Sequence, residues 1–161
     1  KTFLMIQELV MSPKLPFFYN AILNYEQKDD YEKHKYDYYF THLAYKNDME
    51  TLMEGGTKSV YLENFMPIVE KLSIASLIRI KVNFYPRTEE MKIHAAHKDY
   101  PFDHNGALFY VNSCDGYTVL EDGTKIESIA NRVLVFNGGS LHSSTSCTNS
   151  QGRFNINFNY F

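Results

Sequence analysis

The stretch LIRIKVNFYP, Leu77–Pro86, decides the fold. Ile78, Ile80, Val82 and Phe84 alternate with Arg79, Lys81, Asn83 and Tyr85. Successive side chains leave a strand on opposite sides, so this period of two predicts a half-buried strand. Pro86 ends it, because proline has no N–H to give to a ladder. The same alternation returns in GALFYVN (106–112), GYTVLED (116–122), KIESI (125–129), RVLVFN (132–137) and GRFNINFNYF (152–161). Each run is bounded by Gly, Asn or Asp turn signals, among them Asp115–Gly116 and Asp122–Gly123. Short strands in such a series predict a sandwich or barrel.

Upstream the pattern differs. TFLMIQELV (2–10) is apolar at Phe3, Leu4, Ile6 and Leu9, a helical spacing that Pro13 and Pro16 bring to an end. FFYNAILNYEQK (17–28) reads as a second helix, and DDYEKHKYDYYF (29–40) as a charged, tyrosine-rich surface segment. SVYLENFMPIVEKLSI (59–74) sets Leu62, Phe65, Val69 and Leu72 at helical spacing, with Pro67 tolerable near a first turn. Helices first and strands afterwards predict a mainly β, jelly-roll-type double sheet buttressed by N-terminal helices. The expected organisation is one domain, 1–161, with 1–76 as helical or irregular support and 77–161 as the β core.

A chain of 161 residues has room for one sizeable core, and 44% hydrophobic with 16% aromatic residues is the composition of a folded protein. A net charge of −3 with no basic cluster gives no electrostatic footprint for nucleic acid. No apolar run approaches the roughly 20 residues that cross a bilayer, and Glu8 interrupts the opening segment where a signal peptide would stay apolar. A soluble cytoplasmic setting is expected, and Cys114 and Cys147, both in polar turn sequence, read as free surface thiols.

The candidate chemistry begins at His97-Lys98-Asp99, an H-x-D whose first and third side chains project to one side of an extended segment. FNGGSLHSST (136–145) then presents His142 after the Gly138–Gly139 turn. Two imidazoles and a carboxylate on one face of an ion leave the opposite positions open, the arrangement used by non-haem Fe(II). Arg153, in register with Asn155, Asn157 and Asn159 and opposite in facing to Phe154, Ile156 and Phe158, points a guanidinium into the barrel mouth, where it can pair with a carboxylate. Tyr110 shares its face with Leu108 and Asn112 and offers a phenol to the same carboxylate. His94 and His104 have no carboxylate two positions on and read as solvated loop residues, and His34 and His42 as surface or packing residues.

The order Tyr-Pro, H-x-D, ALFYVN, a distal His after a Gly turn, and an Arg on the last long strand resembles the Fe(II)- and 2-oxoglutarate-dependent dioxygenases, most closely the prolyl-4-hydroxylase-like branch. The resemblance covers residue 77 to the C-terminus. It implies a double-stranded β-helix, a cupin-like barrel. It implies Fe(II) on His97, Asp99 and His142, the far carboxylate of 2-oxoglutarate on Arg153 with Tyr110 assisting, and Tyr85 lining the metal-proximal pocket. It further implies O2 as co-reactant, ascorbate as accessory reductant, release of succinate and CO2, and C–H hydroxylation of a substrate such as a prolyl residue in a peptide or protein. A second class of function uses the same barrel: a non-catalytic cupin-like module holding a metal or a small acid. Arg153 weighs toward the oxygenase, since a purely structural metal takes a closed four-ligand shell. Zinc hydrolysis is disfavoured, because no further Glu or His is placed as a general base.

Overall fold

The computed structural model describes residues 1–21, 34, 36–47 and 57–161; most of the expected second helix and half of the tyrosine-rich segment lie outside them. The elements are α1 (Thr2–Val10), β1 (Phe18–Asn20), β2 (Tyr39–Lys46), β3 (Thr57–Lys58), a 3-10 turn at Leu62–Asn64, α2 (Met66–Lys71), β4 (Leu77–Pro86), β5 (Asn105–Tyr110), β6 (Tyr117–Leu120), β7 (Lys125–Glu127), β8 (Val133–Asn137), β9 (His142–Ser144) and β10 (Gly152–Tyr160). The larger sheet runs β1-β2-β4-β10-β5-β8, with β3 on β2, and the smaller runs β7-β6-β9. This is the jelly-roll double-stranded β-helix that the strand series predicts.

β10 shows why the two layers close. Phe154, Ile156 and Phe158 point outward into a core built with Ile80 and Val82 of β4, Phe109 of β5, Ile6 and Val10 of α1, and Ile68 and Val69 of α2. Phe154 stacks on Phe84 with ring centroids 4.5 Å apart and planes 1° apart. Each such side chain taken out of water contributes about 1.5–3 kcal/mol. The opposite face of β10 looks into the barrel. Its register sets Arg153 beside Tyr85, Asn155 beside Asn83, Asn157 beside Lys81 and Asn159 beside Arg79, and β5 adds Tyr110 and Leu108 opposite Asn155 and Asn157.

Three expectations change. β4 is covered on both faces, with Asn83 and Tyr85 buried and Arg79 and Lys81 half-buried, because the smaller sheet roofs its polar face. The segment before residue 77 is not only helical: β2 pairs with β4 from Phe40↔Phe84 to Lys46↔Arg79. β4 would otherwise present an open hydrogen-bonding edge, and β2, rich in Tyr, Phe and Thr, has the composition that covers one. Phe18–Asn20 likewise forms a strand rather than the start of a helix. Pro67 stands in the first turn of α2, where a missing N–H costs nothing.

Candidate active site

The H-x-D segment is fastened to the turn that precedes β9. His97 and His142 exchange backbone hydrogen bonds, each 3.0 Å, and the Asp99 N–H donates to the Gly138 carbonyl at 3.0 Å. Any side chain at Gly138 would run into the His104 imidazole, so glycine is what lets this turn close. The ligand atoms of His97, Asp99 and His142 all lie within 4.8 Å of one another. His97 Nδ1 faces the Ala95 carbonyl at 3.4 Å and His142 Nδ1 the Ser140 carbonyl at 3.0 Å. These contacts hold the proton on Nδ1 and turn both Nε2 lone pairs to the shared point.

Charge is distributed to suit a cation there. Burial works against the Asp99 charge, but the Arg79 guanidinium, followed by Lys81 and His142, outweighs it and holds the carboxyl well below the usual range. Burial, then the neighbouring His142, pushes His97 down to about 4, leaving a neutral imidazole. A neutral imidazole at His97 beside an ionised Asp99 suits metal ligation. Asp99 Oδ1 accepts from Arg79 at 2.6 Å, and Oδ2 accepts from Asn157 and Asn159 at 2.9 Å each while facing His142 Nε2 at 3.9 Å. The donor set fits Fe(II) or Mn(II) with open positions toward the cavity, and does not complete a four-ligand zinc shell.

Arg153 is 0% exposed. Its Nε donates to Ser128 Oγ at 2.6 Å, Nη2 to Thr118 Oγ1 at 2.8 Å, and Nη1 to Ser144 Oγ and, at 3.3 Å, to the Thr145 carbonyl. Every one of these acceptors is neutral, and among the described residues no carboxylate pairs with this guanidinium. A buried cation without a counter-ion is costly unless an anion arrives to match it. Gly116 makes room for it: a Cβ there would lie 2.7 Å from Arg153 Cδ.

Tyr110 is placed behind this arrangement. Its ring lies under the guanidinium, 5.6 Å from centroid to Cζ, and its hydroxyl donates to Thr118 Oγ1 at 2.9 Å. Thr118 Oγ1 thus accepts from both Tyr110 and Arg153, so its own proton is left to be donated toward the cavity that Thr118 lines. Tyr85 lines the same cavity, stacks on Tyr39 and His94 at 5.4 and 5.2 Å, and lies 5.7 Å from Arg153 Cζ. Asn83 Oδ1, Asn155 Nδ2 and Asn157 Oδ1 are buried at this cavity without a partner, as a site for a polar ligand would leave them.

Sequence reasoning missed Thr118, Ser144, Arg79, Lys81 and the asparagines of β10. Their signal was present as the polar phase of period-two strands, but that phase reads equally well as a solvated face. The competing histidines are corrected by burial. His94 and His104 are enclosed, at 5% and 6% exposure, because the loop carrying them folds beneath β9 and β10. His104 bonds the Phe102 carbonyl and the Asn159 amide and stands apart from the ligand set. His34 is buried against Asp37, and His42 between the Pro16 carbonyl and Ser59. Cys147 is buried rather than superficial, and burial pushes its thiol up to about 11; both cysteines are free.

No family model and no curated protein matches the chain in sequence. Solved structures do match it. An oxidoreductase of the 2OG-Fe(II) oxygenase family from Burkholderia pseudomallei aligns with a TM-score of 0.61 over 98% of this chain and 78% of that one, at 10% identity. The non-haem α-ketoglutarate-dependent epimerase SnoN from nogalamycin biosynthesis aligns with a TM-score of 0.50 over 76% and 62%, at 12% identity. A prolyl-4-hydroxylase from Pseudomonas putida covers 99% and 98% at 12% identity, but its TM-score of 0.46 is too low to argue from. What the first two share with this chain is the fold. Among the described residues no helix is long and apolar enough to cross a membrane.

Proposed function

We propose that the protein is an Fe(II)- and 2-oxoglutarate-dependent dioxygenase that hydroxylates a C–H bond, with release of succinate and CO2. The observation that carries the reading is the pairing of an open three-ligand site with a fully buried Arg153 that has no counter-ion among the described residues, in one barrel. His97, Asp99 and His142 would hold the iron, which when bound supplies O2 activation and oxidative decarboxylation of the 2-oxo acid. Arg153 takes the far carboxylate, which replaces the neutral hydroxyl acceptors the guanidinium uses without it. Thr118 donates its free hydroxyl proton to the same carboxylate, and Tyr110 fixes Thr118 in that orientation. Phe136, edge-on to His142 at 4.8 Å, and Leu108 add apolar surface to the cavity wall. A prolyl residue of a peptide as substrate rests on the sequence resemblance alone, and a free amino acid is the other substrate class this site admits.

The test is incubation with Fe(II), ascorbate and 2-oxoglutarate, following succinate. Succinate that requires iron and disappears in Asp99→Ala is the expected result. Bound metal with no succinate under any substrate set would make the protein a cupin-like metal or small-acid binding module instead.

A further inference from the structure

Lys81 is a basic side chain to which this reading assigns no ligand: burial, and then Arg79, pushes its ammonium down to about 7, so it stands ready to take up a proton when a carboxylate arrives. It stands on the inner face of β4, between Asn157 of β10 and Leu43 of β2, and lines the cavity that His97 and His142 line. Its Nζ lies over the Tyr39 ring, 5.8 Å from the centroid, and among the described residues it has neither a hydrogen bond nor a carboxylate in ion-pair range. Asp99 is already engaged by Arg79, and among the described residues the cavity wall holds no other Asp or Glu. A divalent ion with Arg79 and Arg153, set against Asp99 and the two carboxylates of 2-oxoglutarate, leaves the filled cavity with excess positive charge even before Lys81 is counted.

The groups around Lys81 specify what else a ligand should offer. Asn157 Oδ1 is an unpartnered acceptor, and its identity is fixed because the amide nitrogen donates to Asp99. Asn83 and Asn155 share one hydrogen bond of 2.8 Å, leaving one carbonyl oxygen and one amide N–H over. Exchanging oxygen and nitrogen in both residues leaves the same inventory. An ammonium beside unpartnered carbonyl oxygens complements a ligand that bears a carboxylate next to N–H donors. An α-amino acid is such a ligand, and an internal prolyl residue of a peptide has neither group free.

We propose that Lys81 is a specificity residue that binds the α-carboxylate of a free amino-acid substrate, with Asn157 and the free carbonyl of the Asn83–Asn155 pair accepting from its amino group. The assignment rests on the oxygenase reading for the word substrate, but the binding itself is separable from turnover.

The experiment is calorimetric titration of the wild-type protein with each common amino acid, its carboxamide and a proline-rich peptide, first alone and then with Mn(II) and 2-oxoglutarate. At least one free amino acid is expected to bind with a Kd of roughly 1 mM or tighter, its carboxamide roughly tenfold more weakly. Lys81→Gln should reduce the acid to the level of its amide, Lys81→Arg should keep the preference, and neither should change 2-oxoglutarate affinity by more than about threefold. Acid and amide binding alike, no amino acid binding, or binding of the peptide alone would overturn the proposal without any variant. So would a loss of 2-oxoglutarate in Lys81→Gln as severe as in Arg153→Ala, which would put Lys81 in the cosubstrate site. If 2-oxoglutarate fails to bind while the amino acid still does, Lys81 keeps its role and the oxygenase reading falls.

Discussion

Arg79 and Asp99 form a buried ion pair, Nη2 to Oδ1 at 2.6 Å, on the side of the carboxylate away from His142. Arg79 is itself braced, donating from Nε to Asn159 Oδ1 at 3.0 Å and lying over the Tyr100 ring. Arg79 therefore fixes Oδ1, and Oδ2, steadied by Asn157 and Asn159, is the oxygen that faces His142 and the metal position. Removing Arg79 leaves a buried charge unpaired, so Arg79→Met should cost about 2–4 kcal/mol in chemical denaturation at neutral pH. A divalent ion replaces part of the missing positive charge. Mn(II) should accordingly raise the melting temperature of the variant by more than that of the wild type. Equal melting shifts in both proteins would show that Arg79 and the metal position are not coupled through Asp99.

Metal titrations of single-alanine variants address the ligand set. His97→Ala, Asp99→Ala and His142→Ala should each weaken Mn(II) by tenfold or more, on the order of 1.4 kcal/mol at least. His94→Ala and His104→Ala, buried outside the cluster, should stay within about threefold of wild type. Loss of metal in either of the latter two would move the site.

For Arg153 the readout is 2-oxoglutarate. Arg153→Ala should weaken it by roughly 2–5 kcal/mol, much of it the cost of a carboxylate left unpaired. Tyr110→Phe should cost less, about 0.5–1.5 kcal/mol, because its hydroxyl acts through Thr118. Unchanged affinity in Arg153→Ala would remove the cosubstrate assignment and leave the metal site standing.

Gly116 offers a way to disturb Arg153 without touching its charge. A Cβ at this position would come within 2.7 Å of Arg153 Cδ and 2.6 Å of the Ser146 carbonyl. Gly116→Ala should destabilise the fold by about 1–3 kcal/mol and weaken 2-oxoglutarate while Mn(II) binding is retained. Parallel loss of both ligands would mean that the substitution disrupts the barrel as a whole.

His94 predicts a pH dependence of stability. Burial, partly opposed by Asp37, pushes its imidazole down to about 4. The unfolded chain takes up that proton near pH 6.5 and the folded protein does not, so stability is full above about 6.5 and falls as the pH drops toward 4. Between pH 7 and pH 5 the His94 contribution should be about 2 kcal/mol. His94→Phe keeps an aromatic ring for Tyr85 to stack on and should flatten the slope by that amount in urea titrations at the two pH values. Identical slopes would assign the dependence to other groups.

Local alternation carried the strands and much of the site. Arg153 points inward because Phe154, Ile156 and Phe158 must point outward, a consequence of the two-residue period alone. H-x-D puts His97 and Asp99 on one side for the same reason, and Pro67 could be placed in a first turn from its missing N–H. Periodicity names the two faces of a strand but not what covers each. Only the tertiary structure decided that Lys81, Asn83 and Asn157 look into a walled cavity, since the facing wall comes from β6 and β9, far along the chain. The recruitment of β2 to the edge of β4, the burial of His94 and His104, and the meeting of His142 with His97 across a backbone bridge are long-range events of the same kind. They depend on which surfaces fit when the two sheets pack, and packing complementarity between residues distant in sequence leaves no periodic trace in either one.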